Sequence, residues 1–170
     1  RYVLVKQGLI DRISTSSIAD NNIEHLDGEG KYLMPGLAEM HAHIPSPDWG
    51  RRDTDATLFL YLANGITTIR GMLGHPVHLE LRSAVRMGKV MSPRIFTSSP
   101  SLNGTTVPTA EEARKKVKEY KSAGYDFLKI HPGIKRDVFD VIVETARAED
   151  ISIRQNLAGS HVNHVDIFNQ

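Results

Sequence analysis

The sequence predicts an α/β fold in which a short β layer precedes a run of βα units. Three observations carry that expectation. Residues 2–23 hold short strand-like apolar runs broken by Gly8 and by a Ser-Thr-Ser-Ser patch. From Tyr32 onward, short apolar segments alternate with amphipathic ones, the texture of parallel strands joined by crossover helices. The joints between those segments carry residues that start or stop helices. Five strands and four helices with short connections make either an open doubly wound sheet or part of a closed (β/α)8 barrel. A complete barrel needs about 250 residues, so with 170 residues a barrel here is only part of one.

Taken in order, Tyr2, Val3, Leu4 and Val5, then Leu9, Ile10 and Ile13, read as hairpin pieces. Asp27-Gly28-Glu29-Gly30-Lys31 is a turn, its glycines too few and wrongly flanked for a phosphate loop. Residues 37–44 form the first strand of the βα series. Residues 53–63 form a helix with Leu58, Phe59, Leu62 and Ala63 apolar, stopped by Asn64-Gly65. A second strand covers 66–69, a helix 77–87, and a third strand 93–97, followed by a Ser/Pro/Asn/Gly loop over 98–108. Thr109-Ala110-Glu111-Glu112 is a capping box opening a helix that Gly124 ends. Residues 127–131 are the fourth strand, 137–149 the fourth helix and 151–153 the fifth strand.

Composition narrows the partners. With 21 Lys and Arg against 20 Asp and Glu, the net charge is +1, and nothing in the overall field recruits nucleic acid or anionic lipid. Cysteine is absent, which excludes disulfides, thiol catalysis and Cys-based zinc fingers. A metal would be held by His, carboxylate or a modified Lys. The strongest apolar run, residues 58–63, is far short of the roughly 20 residues of a transmembrane helix. The chain opens at Arg1 in strand-like sequence rather than at Met, which leaves the compartment open.

The chemistry sits on two strands. Alternation sends Glu39, His41 and His43 to one face and Ala38, Met40, Ala42 and Ile44 to the other. Imidazoles two residues apart lie about 6.6 Å apart along a strand, close enough to converge on one ion; solvated or hydrogen-bonded histidines are the plainer reading. On the fourth strand Phe127, Lys129 and His131 share a face, which aims a lysine inward. Either it pairs with a carboxylate such as Glu39, or desolvation lowers its pKa and leaves a neutral amine that can add carbon dioxide to form a bridging carbamate. His75 and His78 follow the second strand on the rim where barrel enzymes keep their sites, as substrate contacts or as helix-start residues. Asn103-Gly104-Thr105 matches a glycosylation acceptor and, equally, a turn.

The run from Gly30 through Pro35-Gly36-Leu37-Ala38-Glu39-Met40-His41-Ala42-His43 resembles the opening signature of the metal-dependent amidohydrolase superfamily, in its imidazolonepropionase-like and prolidase-like branch. Gly65-Ile66-Thr67-Thr68-Ile69-Arg70, Ser92-Pro93-Arg94-Ile95 with the Ser-Pro-Ser-Leu-Asn-Gly loop, and Tyr125-Asp126-Phe127-Leu128-Lys129-Ile130 resemble the same branch in order, to about Asp150. The resemblance implies a partial (β/α)8 TIM-type barrel, about strands one to five, over residues 36–170, and a piece of a small β-sandwich over residues 1–35. It also implies one or two divalent metal ions, zinc by default, with His41 and His43 as ligands and Lys129 as the carboxylated bridge. Later ligands come from strands five and six and an aspartate from strand eight. At strand five the branch's spacing falls near Asn156, whereas the local wording Ala158-Gly159-Ser160-His161-Val162 points to His161, with His164 as fallback. Glu39 stands where the branch usually has Asp, as an acceptor behind the ligands.

Two functions follow as expectations. The first is a hydrolase of amide, dipeptide or cyclic amide bonds, in which metal held by His41, His43, Lys129 and His161 lowers the pKa of a bound water to about 7 for attack on the carbonyl. Its substrate is a small molecule. Strands six to eight are missing from this chain, so a fragment inactive alone is expected, completed by the missing barrel half or an oligomer partner. The second is a non-catalytic half-barrel or interaction module with weak or no metal binding.

Overall fold

In the computed structural model, residues 1–19, 22–46 and 53–155 are described. The chain divides into two compact units, Arg1–Pro35 and Gly36–Gln170. In the first, β1 (Tyr2–Lys6) and β2 (Leu9–Ser14) pair antiparallel across a two-residue turn. Gln7 and Gly8 both take positive φ there, 51° and 76°, the backbone of a tight hairpin whose twist matches the strands. Further on, the Asp27 carboxylate accepts from the Glu29 N–H at 2.9 Å and Lys31 N–H donates to the Gly28 carbonyl at 3.0 Å, making the turn that the two glycines predict.

In the second unit β3 (Leu37–Ala42), α1 (Thr54–Ala63), β4 (Ile66–Gly71), α2 (Pro76–Arg86), β5 (Arg94–Leu102), α3 (Ala110–Ala123), β6 (Phe127–Ile130), α4 (Arg136–Ala148) and β7 (Ser152–Gln155) follow one another. The five strands are parallel and lie in the order β3-β4-β5-β6-β7. That order decides between the two topologies. A doubly wound sheet reverses its strand order and so puts helices on both faces. Sequential right-handed crossovers put every helix on one face, and the sheet curls away from them as a partial TIM-type barrel.

Helix boundaries follow local chemistry. Asp53 caps α1 by accepting from Ala56 N–H at 3.0 Å, and Gly124 ends α3 in the left-handed region at φ 87°. Thr109 Oγ1 accepts from Glu112 N–H at 3.3 Å, while the Glu112 carboxylate accepts the Thr109 hydroxyl proton at 2.7 Å instead of reaching back to the backbone. On the helix side of the sheet, Ile69, Ile95 and Ala42 pack with Leu58, and Leu128, Ile130 and Ile153 pack with Val117 and Ile142. Among the described residues no helix is long and apolar enough to cross a membrane.

The third strand of the series differs from the sequence expectation. It runs through Leu102, where a loop was predicted from residue 98. Its Ser-Ser-Pro-Ser segment has poor strand propensity, yet Ser98 registers with Phe127 and Ser101 with Lys129. The irregularity between them holds Pro100, which has no N–H for the ladder. Pairing with β6 overrides local preference. The connection after β4 packs tightly here too: a Cβ on Gly74 would lie 1.7 Å from the Ser98 carbonyl oxygen. Gly74→Ala is therefore expected to destabilise the fold by about 3 kcal/mol, the upper end for overpacking, seen as a lower urea midpoint. An unchanged midpoint would show that these two segments do not touch.

Candidate functional site

The inner face of the curled sheet carries the polar residues. In β3 the register with β4 shifts between Glu39 and Ala42, so one extra residue is accommodated there. Glu39 thereby registers with Ile69 instead of continuing the alternation of His41 and His43, a correction to the shared face that strict period two predicts. Its Oε1 turns back to accept from the His41 N–H at 2.7 Å, which fixes the backbone at the first histidine. Ala42 and Ile44 are buried in the helix-side core, so the residues between and before them, His43 and His41, are left on the open side. Their rings stack with centroids 5.4 Å apart and planes 20° from parallel.

Lys129 lies on β6, in register with Ser101 and Arg154. It is 0% exposed, among the largest fully buried side chains of the described residues. Its backbone N–H donates to Ser99 Oγ at 3.1 Å, at the point where Pro100 disrupts the ladder. Burial first, and then the positive charge of Arg70, pull its pKa from 10.5 down to about 8. A governing ion pair with Glu39 would push the other way.

The two strands act on one electrostatic neighbourhood. The His41 pKa is lowered by burial, then by Lys129 and His43, with Glu39 opposing. His131, just after β6, is lowered by burial, then by Lys129, His43 and His41. Neutral imidazole is the form that binds a metal. His131 is the residue that sequence reasoning passed over, although its parity with Lys129 was visible. Below them Arg70 donates from Nε to the Met40 carbonyl at 2.9 Å and lies 5.8 Å from the centre of the Phe127 ring.

Two imidazoles and a buried amine of low pKa are a donor set that suits a borderline divalent cation, provided the amine becomes an anionic ligand. Among the described residues no three His, Asp or Glu side chains converge to hold one by themselves. His161, His164 and Asn156 lie outside the described residues.

His75 and His78 sit at the start of α2. His75 is its N-cap, with Nδ1 accepting from Val77 N–H at 3.2 Å, and His78 is 1% exposed. Asn103 Oδ1 accepts from the N–H groups of Thr105 and Thr106, both at 2.9 Å, which is the turn reading of that segment.

No protein-family model matches the chain. It is 37% identical over 68 residues to a dihydroorotase of Carboxydothermus hydrogenoformans, covering 39% of this chain and 16% of that one. A dihydroorotase of Bacillus thuringiensis is 37% identical over 71 residues, 41% of this chain and 16% of its own. Among solved structures, a prolidase-like protein from Bifidobacterium longum superposes with a TM-score of 0.67 at 28% identity, covering 83% of this chain and 39% of that one. The bottromycin amidohydrolase does so with a TM-score of 0.58 at 26% identity, covering 70% and 27%. The chain thus spans under a fifth of the dihydroorotases and well under half of these two structures. It is related to the amidohydrolase superfamily, with a prolidase-like neighbour among its structural relatives.

Below about pH 8 folded and unfolded chains both hold the Lys129 proton; from about 8 to 10.5 only the unfolded chain does, so stability from this group rises with pH across that window. Lys129→Met removes the titration. The stability of wild type relative to this variant is expected to climb through that window in urea titrations, and a flat difference would refute the depressed pKa.

Proposed function

We propose that this chain carries the first part of a metal-dependent amidohydrolase site that hydrolyses a C–N bond in a small amide, dipeptide or cyclic amide. The observations that support it best are the stacked His41 and His43 rings on β3 and the buried Lys129 on β6, whose charge helps lower the His41 pKa. His41 and His43 would bind through neutral imidazole nitrogens, with the Glu39 bond to the His41 backbone limiting movement of the pair. Lys129 joins as a carbamate: its neutral amine forms an N–C bond to carbon dioxide and releases one proton to solvent. Burial and Arg70 favour the neutral amine that this addition requires. When bound, the divalent cation, zinc by default, supplies Lewis acidity toward the amide carbonyl and toward water.

The other residues of the chain do ordinary positioning work. Ser99 holds the Lys129 backbone, and one helix-side cluster packs under β3 while a second packs under β6. His161 is the candidate for the next ligand, and His75, partly buried at the start of α2, for a substrate contact. Amide-acting relatives support a small-molecule substrate. Completion of the site by further barrel strands, or by a partner subunit, belongs to the same proposal.

The test combines elemental analysis, intact mass and hydrolysis of a panel of dipeptides, N-acyl amino acids and cyclic amides. With the site completed by the further barrel strands or a partner subunit, near-stoichiometric metal, one carbon dioxide added at Lys129 and turnover of at least one amide are expected. Lys129→Ala should weaken metal binding by more than about 100-fold, beyond the range for losing a ligand's supporting partner. Full metal content in that variant would remove the lysine from the site; metal-free, inert wild type would favour a non-catalytic binding module.

A further inference from the structure

His78 is a buried polar side chain that the proposed chemistry does not use, and both of its ring nitrogens are engaged. Nδ1 accepts the His75 backbone N–H at 3.2 Å. Nε2 lies 3.3 Å from the Pro45 carbonyl oxygen, which can only accept, so this ring is the neutral tautomer with its proton on Nε2. The partners belong to different parts of the fold. One is the start of α2, and the other is the segment that leaves β3 two residues after His43.

That segment is held at three successive points. The Ala42 carbonyl accepts the Met72 N–H at 2.9 Å. The Ile44 side chain packs on Gly71, where a Cβ would come within 3.2 Å of Ile44 Cδ1. The Pro45 carbonyl is taken by His78. His43 lies between the first anchor and the other two. Its backbone is bracketed while its ring stays on the open face against His41. A helix cap needs only the Nδ1 acceptor. The second bond, to a peptide group 33 residues away in sequence, is unnecessary for starting α2.

We infer that His78 is a positioning residue for the His41–His43 pair, a buried clamp that ties the start of α2 to the peptide behind His43 and sets the direction of that ring. This inference rests on the proposed cation site for its functional meaning, although the clamp itself is a statement about the fold. It acts as the outer partners of metal ligands generally do, by removing freedom from a ligand it does not replace.

Two substitutions separate the two bonds. In His78→Asn the side-chain oxygen can still accept from His75 N–H but does not reach Pro45. In His78→Gln the amide nitrogen reaches Pro45 and the cap acceptor is lost. With the complete protein chain, His78→Asn is expected to bind Zn2+ about 10-fold more weakly with a near-wild-type unfolding midpoint. Amide hydrogen exchange in the peptide spanning residues 40–46 should speed up in that variant. His78→Gln should keep the Zn2+ affinity while exchange at the start of α2 accelerates and the midpoint falls. Zn2+ affinity that follows the unfolding midpoint in both variants would overturn the inference and leave His78 as a helix cap. Unaltered exchange over residues 40–46 in His78→Asn would overturn it as well. Should wild type bind no Zn2+, the metal reading fails, and the exchange pattern alone then decides for or against the clamp.

Discussion

One-sided winding governs this molecule. Because the parallel strands follow in sequence order, every crossover helix lies on the same face of the sheet, and each strand must turn its apolar residues toward that face. Ile69, Ile95, Leu128, Ile130 and Ile153 do so, each contributing on the order of 1.5–3 kcal/mol when fully buried. The opposite face is thereby released from hydrophobic duty. It can hold two histidines, a lysine and two arginines, groups that a strand covered on both sides would accommodate only at high cost.

Within that face, position is set largely by backbone contacts. The Glu39 carboxylate holds the His41 N–H, Ser99 holds the Lys129 N–H, and Ala42 and Pro45 are held from the segment that follows β4. Side chains that could touch a ligand are thus placed by neighbours that need not touch it. Such an arrangement allows the charge-bearing ends to remain mutually unfavourable. Lys129 is buried next to Arg70, and His41 and His131 both feel the lysine, so each is biased toward its neutral form. Depressed basic pKa values gathered on one face are a pattern that supports the proposed site.

Kinship with the amidohydrolase superfamily fits this picture at the level of the fold and of the segments that resemble it. The prolidase-like structure and the bottromycin amidohydrolase both superpose over most of this chain, and the chain matches a smaller part of each. In a (β/α)8 barrel the working residues stand at the C-terminal ends of strands. His41 and His43 at the end of β3, and Lys129 and His131 at the end of β6, occupy that level.

Element types and their order were legible from periodicity and caps, because these depend on neighbours within a few residues. Asp53, Thr109 and Gly124 set helix ends from local hydrogen bonding alone. The histidine pair and the inward lysine were visible too, since strand alternation is a local property. Tertiary structure decided the rest. Sequential strand order selected the curled sheet over the doubly wound one, β6 pairing drew Ser98 to Leu102 into a strand, and an added residue in β3 turned Glu39 away from the alternation. His78 found its carbonyl partner 33 residues back in the chain. Each of these outcomes is fixed by a contact between segments far apart in sequence, and no local pattern of residues encodes which distant backbone groups will be there to meet.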